Sequence, residues 1–129
     1  ARELAKKTGC KLLYLSDFYG DLDIKHLRGL GPVEFVSYLA NAEYVFTNSF
    51  HGTAFSVNLH KNFFAEVNTL SRYNYRAEAL LKACGLMKRT MEQCKDVFEE
   101  SKKPIDFNAV ENVLNLERNR SEKYFNEIL

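Results

Sequence analysis

The sequence has no tryptophan, only two prolines and only six glycines in 129 residues. So little glycine and proline excludes a collagen-like or low-complexity chain. No apolar run approaches the roughly 18–20 residues of a membrane-spanning helix, which argues against a membrane span. Ten phenylalanines and seven tyrosines are too many aromatic residues for a disordered polar chain. What is left is a globular chain whose length fits one domain of about 100–200 residues.

Charge and cysteine content narrow the functional classes further. Eighteen basic and 17 acidic residues give a net charge of +1, so no strong field favours nucleic acid or anionic lipid as a partner. The three cysteines, Cys10, Cys84 and Cys94, are an odd number and form no C-x-x-C pair. That argues against a zinc site, a thioredoxin-like site and a secreted disulfide scaffold. Acidic residues are scattered, so we expect no metal site, and we expect a reducing, cytoplasmic compartment.

The order of apolar patterns predicts an α/β fold. Helical segments are predicted at 1–8, 31–42, 51–59, 73–84 and 90–100, and strands at 10–15, 43–47 and 63–67, with a long polar loop at 16–30. This alternation favours a Rossmann-like parallel sheet with helices on both faces. We expect Leu13, Val45, Phe46 and Phe64 to be buried in that sheet.

We interpret residues 1–129 as a single Rossmann-like domain in which residues 105–129 form a C-terminal helical tail. Asp106 is a suitable N-cap for that tail, and Ser121 either starts a last helix or lies within a continuous one. Residues 1–7 have neither an initiating methionine nor an apolar signal core, and they have the composition of a helix interior. We therefore expect the chain to be a fragment of a longer protein.

The residues from 47 to 53, T-N-S-F-H-G-T, are a candidate anion site because they follow a strand and open a helix. Ligands of open parallel sheets bind at the carboxyl ends of strands, and helix N-termini favour phosphate or carboxylate. His51 could donate to such an anion or act as an acid/base group, and Gly52 would let the ligand approach the backbone. The alternative is that Asn48 or Ser49 only caps the helix and that His51 packs locally.

Three arginines follow the third predicted strand and form a second candidate group: Arg72, Arg76 and Arg89. Arg72 falls just past the carboxyl end of that strand, where a guanidinium could bind the same carboxylate or phosphate. The alternative for all three is a solvated surface charge, which suits Arg76 best. Glu34, in a predicted first helical turn, either stabilises the helix dipole or faces the crevice. His26 and His60 are interpreted as structural or exposed.

The stretch from residue 31 to residue 64 resembles the polysaccharide pyruvyl transferase family. The resemblance is carried by G-P-V-E-F at 31–35, N-A-E-Y-V-F-T-N-S-F-H-G-T-A-F-S at 41–56 and L-H-K-N-F-F at 59–64. Further on, Ser71-Arg72, Leu80-Leu81, Gly85-Leu86 and Arg89 fit a family segment, and residues 105–107 and 118–129 resemble its C-terminal helix. The similarity therefore covers nearly the whole chain.

The resemblance implies the C-terminal half of a two-domain enzyme of the GT-B type, with its active site in the cleft between two Rossmann-like halves. The family's best-known members transfer a pyruvyl group from phosphoenolpyruvate to a sugar hydroxyl, and the resemblance implies the same reaction here, in surface polysaccharide synthesis. The implied partners are this anionic donor, a sugar or polysaccharide acceptor and the missing N-terminal half, with no cofactor, metal or nucleic acid. Self-association is expected where that half would dock. The implied location is the cytoplasm, or the inner face of the membrane for a peripheral enzyme.

The resemblance also assigns roles to individual residues. His51 would be the catalytic acid or a donor to the anion, while Asn48, Ser49, Gly52 and Thr53 would contact the donor and Arg72 would neutralise its charge. One residue departs from the pattern, since characterised members carry R-x-H where this chain has Ser49-Phe50-His51. Either Arg72 compensates or the donor differs. Two other functions stay open: a nucleotide-sugar glycosyltransferase on the same scaffold, and a carbohydrate-binding or assembly module without catalysis.

Overall fold

The computed structural model describes residues 1–15, 24–67 and 75–128. These ranges contain six α-helices, one short 3₁₀ helix and four strands. In chain order they are α1 (Arg2–Thr8), β1 (Leu13–Leu15), β2 (Lys25–Leu27), α2 (Pro32–Asn41), β3 (Tyr44–Thr47), α3 (Phe50–Asn58), β4 (Asn62–Ala65), α4 (Tyr75–Ala83), the 3₁₀ helix (Met87–Arg89), α5 (Val97–Ser101) and α6 (Phe107–Ile128). The predicted α/β class is confirmed.

Both strand pairs are parallel, and the sequence predicts this orientation for β3 and β4. β1 pairs with β2, and β3 pairs with β4 in a register that places Thr47 opposite Ala65. A parallel bridge between Ala65 and Thr90 adds one residue beside β4. Within the described ranges the pairs form two separate two-stranded sheets instead of one. None of the side chains of β1 and β2 is fully buried.

Two local expectations are wrong. β2 lies within the stretch 16–30 that the sequence predicts as a loop, because its residues K-H-L show no apolar pattern and form a strand only by pairing with β1. The expected helix over 90–100 is also absent, and only residues 97–100, the first four of α5, are helical there. Asp96 caps α5, since its Oδ1 accepts hydrogen bonds from Phe98 N at 2.9 Å and from Glu99 N at 3.1 Å.

The core lies between the β3–β4 pair and the helices α3, α4 and α6. Val45 and Phe64 are buried as predicted, whereas Leu13 and Phe46 are only partly buried. Phe46 still contacts the core, because its ring stacks on that of Phe64 with 5.4 Å between the ring centroids. The fully buried side chains with the largest volumes are Phe63, Phe64, Leu81, Val57, Val67 and Val110.

α6 is one continuous helix of 22 residues, so Ser121 lies inside it. The predicted cap is confirmed, because Asp106 Oδ1 accepts a hydrogen bond from Ala109 N at 3.1 Å. Val110, near its start, is buried in the core, but every residue from Asn115 to Ile128 is exposed. Over the three described ranges, no helix has both the length and the apolar character needed to cross a membrane.

Candidate functional site

The turn from β3 into α3 is held by short-range hydrogen bonds. Ser49 is the N-cap of α3, with extended backbone at φ −101° and ψ 138°, and its Oγ accepts a hydrogen bond from Gly52 N at 3.5 Å. The Ser49 carbonyl accepts from both Thr53 N and Thr53 Oγ1, each at 3.0 Å. Ser49 N in turn donates to Thr47 Oγ1 at 3.1 Å. The capping role considered for Ser49 is therefore confirmed, and the hydroxyls of Ser49 and Thr53 are engaged in starting the helix.

Gly52 has a packing role that the sequence did not predict. It is buried in the first turn of α3, and a Cβ atom placed on it would lie 2.9 Å from the Cβ of Thr47. The side chain of Thr47 thus occupies the space that glycine leaves open. Glycine at this position permits close approach of strand β3 and helix α3, which is a structural reason for its presence independent of any ligand.

The start of α3 has the properties of an anion-binding helix N-terminus. The backbone N–H groups of Phe50 and His51 have no hydrogen-bond acceptor among the described residues. The first turn of α3 contains no acidic residue, so no carboxylate of its own offsets the positive end of the helix dipole. α2 differs, because the carboxylate of Glu34 lies against Gly31 at its start. Free N–H groups and an uncompensated dipole can hold an external phosphate or carboxylate.

Three side chains gather at this helix start and are here called the Phe50 cluster: Phe50, His51 and Arg76. His51 is exposed, and its ring packs edge-on against that of Phe50 with 5.6 Å between centroids. The guanidinium carbon of Arg76, in the first turn of α4, lies 4.6 Å from the centroid of the same ring. Asn48, immediately before the N-cap, is exposed as well. The interpretation of Arg76 as a surface charge is correct about its exposure, but its contact with Phe50 was not predicted.

The other two predicted arginines have different outcomes. Arg72 lies outside the described residues, so its place beside His51 stays a prediction. Arg89 is buried with 3% of its surface exposed, which makes its interpretation as a solvated surface charge wrong. Its Nη1 donates to Asn62 Oδ1 at 2.7 Å and its Nη2 donates to the Lys103 carbonyl at 2.6 Å. Asn62 is the first residue of β4, so the Arg89 guanidinium lies near the amino-terminal ends of the parallel strands. The start of α3 lies at their carboxyl-terminal ends.

His60 is structural and lies at the far end of α3. Its Nε2 is 3.1 Å from Glu111 Oε1, and its ring stacks on Phe107 with 4.6 Å between centroids. Hydrogen bonds from His60 and Arg118 lower the pKa of the Glu111 carboxyl, and the bond from His60 has the larger effect. His60 has a left-handed backbone with φ 53°. These contacts attach α6 to the end of α3 and leave His51 as the histidine at the candidate site.

The part of the chain that the structure describes contains no cluster of potential metal ligands. No group of three or more histidine, cysteine, aspartate or glutamate side chains in these ranges could hold a metal ion. The three cysteines are free thiols, and burial raises the pKa of the Cys84 thiol.

Comparison with known proteins identifies the family of this α/β chain. The family model described as polysaccharide pyruvyl transferase matches residues 4–68, which is half of the chain. The matched range includes β1 to β4 and the candidate site residues from Asn48 to Thr53 at the start of α3, whereas Arg72, Arg76 and Arg89 lie beyond it. The chain therefore belongs to the polysaccharide pyruvyl transferase family. No curated protein and no solved structure matches it.

Proposed function

We propose that this chain is the donor-binding, Rossmann-like C-terminal half of a GT-B-type enzyme that transfers a pyruvyl group from phosphoenolpyruvate to a sugar hydroxyl. The observation that carries this proposal is the start of α3, where two free backbone N–H groups lie beside an exposed histidine and an exposed arginine. Family membership supports it, because the matched range contains this helix start. We place the reaction in surface polysaccharide synthesis, in the cytoplasm or at the inner face of the membrane.

The donor suits the charge of the site. Phosphoenolpyruvate is a small molecule with two anionic groups, a phosphate and a carboxylate, and both need hydrogen-bond donors and positive charge when they leave water. In this proposal the N–H groups of Phe50 and His51 bind one anionic group, with the exposed amide of Asn48 beside them. Ser49, Gly52 and Thr53 act by holding the turn in the conformation that presents those N–H groups. Arg72 adds positive charge on the donor side.

His51 is the proposed acid/base group of the transfer. One sugar hydroxyl oxygen bonds to C2 of the donor, a proton is added to C3, phosphate leaves from C2 and a second hydroxyl oxygen closes the ketal. Of the two hydroxyl protons released, one balances the proton gained by C3 and the other leaves with phosphate. His51 can deliver or accept such protons because its ring has no hydrogen-bond partner among the described residues and reaches solvent. The acceptor sugar would contact the missing N-terminal half.

Donor binding by the full-length protein tests this function. Phosphoenolpyruvate should raise the thermal unfolding midpoint in a concentration-dependent manner, because a ligand that binds only the folded state stabilises it by mass action. With a sugar acceptor present, inorganic phosphate should be released. For variants of His51 in this assay, His60→Asn is the matched control. His60 lies at the other end of α3, and asparagine tolerates the left-handed backbone found there.

The same measurement separates the other two functions. A nucleotide sugar that raises the midpoint while phosphoenolpyruvate does not would identify a glycosyltransferase and overturn the pyruvyl proposal. If neither donor binds, a non-catalytic carbohydrate-binding or assembly module becomes the better description.

Self-association of the chain, expected where the N-terminal half would dock, needs a separate test. Size-exclusion chromatography of the 129-residue chain alone provides it.

A further inference from the structure

Arg76 differs from the other described arginines whose contacts are resolved. Arg118 and Arg120 pair with carboxylates, and Arg89 donates to an amide and a carbonyl oxygen. The guanidinium of Arg76 contacts the ring of Phe50 and has no hydrogen bond or ion pair with any residue in the described ranges. A stacked guanidinium keeps all five of its N–H donors available.

The position of this guanidinium is set by the fold. Phe50 is half-buried and packs against the hydrophobic core, so its ring is a fixed surface at the first residue of α3. Arg76 reaches that ring from α4, and α3 and α4 are in contact. His51 touches the same ring. The stacking therefore holds a free cation next to the anion-binding end of α3 before any ligand arrives, which reduces the entropy lost on binding.

We propose that Arg76 binds the carboxylate of the donor while the free N–H groups at the start of α3 bind its phosphate. This inference rests on the proposed function, because it assumes a donor with two anionic groups. One helix start supplies about half a positive charge and cannot balance both groups. A guanidinium matches a planar carboxylate through two parallel hydrogen bonds, whereas a helix N-terminus suits a phosphate. Arg76 therefore becomes a donor-binding residue that discriminates phosphoenolpyruvate from enol phosphates without a carboxylate.

The experiment compares two ligands in four forms of the full-length protein. The ligands are phosphoenolpyruvate and isopropenyl phosphate, which replaces the carboxylate with a methyl group, and their dissociation constants are measured by calorimetry or by competition. The proteins are the wild type, Arg76→Ala, Arg76→Lys and the control Arg120→Ala, which removes an exposed arginine on α6. Because Arg76 is itself exposed, its replacement should not impair folding.

We expect Arg76→Ala to weaken phosphoenolpyruvate binding by about 10- to 100-fold, the range of a charge-assisted contact. Binding of isopropenyl phosphate should change less than about threefold, within the effect of a surface substitution, so that the preference for the carboxylate disappears. Arg76→Lys should recover part of the loss, because lysine keeps the charge but not the planar pair of donors. Arg120→Ala should bind both ligands as the wild type does.

Each other outcome is decisive. If the wild type binds phosphoenolpyruvate and Arg76→Ala binds it equally well, the role of Arg76 is overturned while the proposed function stands. If Arg76→Ala weakens both ligands by the same factor, the guanidinium acts on the phosphate and the carboxylate assignment is wrong. If the wild type binds no phosphoenolpyruvate at all, the proposed function fails and the inference on Arg76 fails with it.

Discussion

Gly52 and Thr47 are packed so closely that a Cβ atom on Gly52 would lie 2.9 Å from the Cβ of Thr47. Threonine cannot easily move away, because its Oγ1 accepts a hydrogen bond from Ser49 N at 3.1 Å. This contact sets the spacing between the end of β3 and the first turn of α3. The geometry of the candidate site therefore depends on the absence of a side chain at residue 52.

We expect Gly52→Ala to lower the free energy of unfolding by about 1–3 kcal/mol through overpacking, although alanine by itself favours a helix by about 1 kcal/mol. Urea denaturation gives the change. In the Gly52→Ala background, Thr47→Ala removes the hydroxyl and should restore part of the stability, so the two changes should be non-additive. A Gly52→Ala protein as stable as the wild type would show that the turn relaxes without cost.

The parts of the fold that could be predicted are those with local signals. Pro32 marks the start of α2 because proline fits a first helical turn. Gly9 marks the end of α1 because it adopts a left-handed backbone with φ 74°. The start of α3 was also predictable, since a polar turn between an apolar strand and a helix contains its own capping group in Ser49. Such features depend on neighbours within a few residues.

The features that escaped prediction depend on residues far apart in the chain. β2 forms because it pairs with β1, in a register that places Leu13 opposite Lys25. The residues of β2 themselves show no apolar pattern. Arg89 could be interpreted from the sequence as a surface charge, yet it is buried and donates to Asn62 and Lys103. The contact between Phe50 and Arg76 joins two helices. No linear spacing encodes these three relationships, because each is created only when separate elements pack together.

His51 should be essential for turnover if it is the acid/base group. We expect His51→Ala to reduce kcat by about 10²–10⁴-fold, the usual contribution of general acid–base catalysis. Steady-state release of phosphate from phosphoenolpyruvate by the full-length enzyme gives kcat, with His60→Asn as the control at the far end of α3. Full kcat in His51→Ala would restrict this residue to packing against Phe50.

Arg72 should affect binding more than turnover. We expect Arg72→Ala to weaken donor binding by about 10- to 100-fold, as expected for one charge-assisted contact. If Arg72 and His51 serve one ligand, the double variant should lose less than the product of the two single losses. Independent, fully multiplicative losses would place the two side chains at separate sites.

Arg89 should be important for stability and not for donor binding. We expect Arg89→Ala to reduce the free energy of unfolding by about 2–4 kcal/mol, because it leaves the Asn62 amide oxygen and the Lys103 carbonyl without their donor. Arg89→Lys should rescue little, since one ammonium cannot reproduce two divergent N–H donors. Urea unfolding measures both, and the exposed Arg120→Ala should change stability by less than about 0.5 kcal/mol. Equal stability of Arg89→Ala and Arg120→Ala would contradict this role.

Glu111 should make stability sensitive to acid. The bonds from His60 and Arg118 lower the pKa of its carboxyl in the folded protein, whereas the unfolded chain has a pKa of about 4.3. A lowered folded-state pKa means that the stabilisation is complete above the unfolded pKa and is lost as pH falls through the folded pKa. Glu111→Gln should therefore be less stable than the wild type at pH 6, and the difference should shrink below about pH 4. Urea midpoints that differ equally at both pH values would assign the loss to packing.

The contrast between the two halves of α6 has a consequence for local unfolding. The helix is roughly 33 Å long, but only its first half, around Val110, is attached to the core. Residues 115–128 are exposed throughout, and isolated helices shorter than about 12–15 residues are marginally stable in water. Backbone amides in this second half should therefore exchange with deuterium by fraying from the helix end, while those near Val110 exchange only when the whole domain opens.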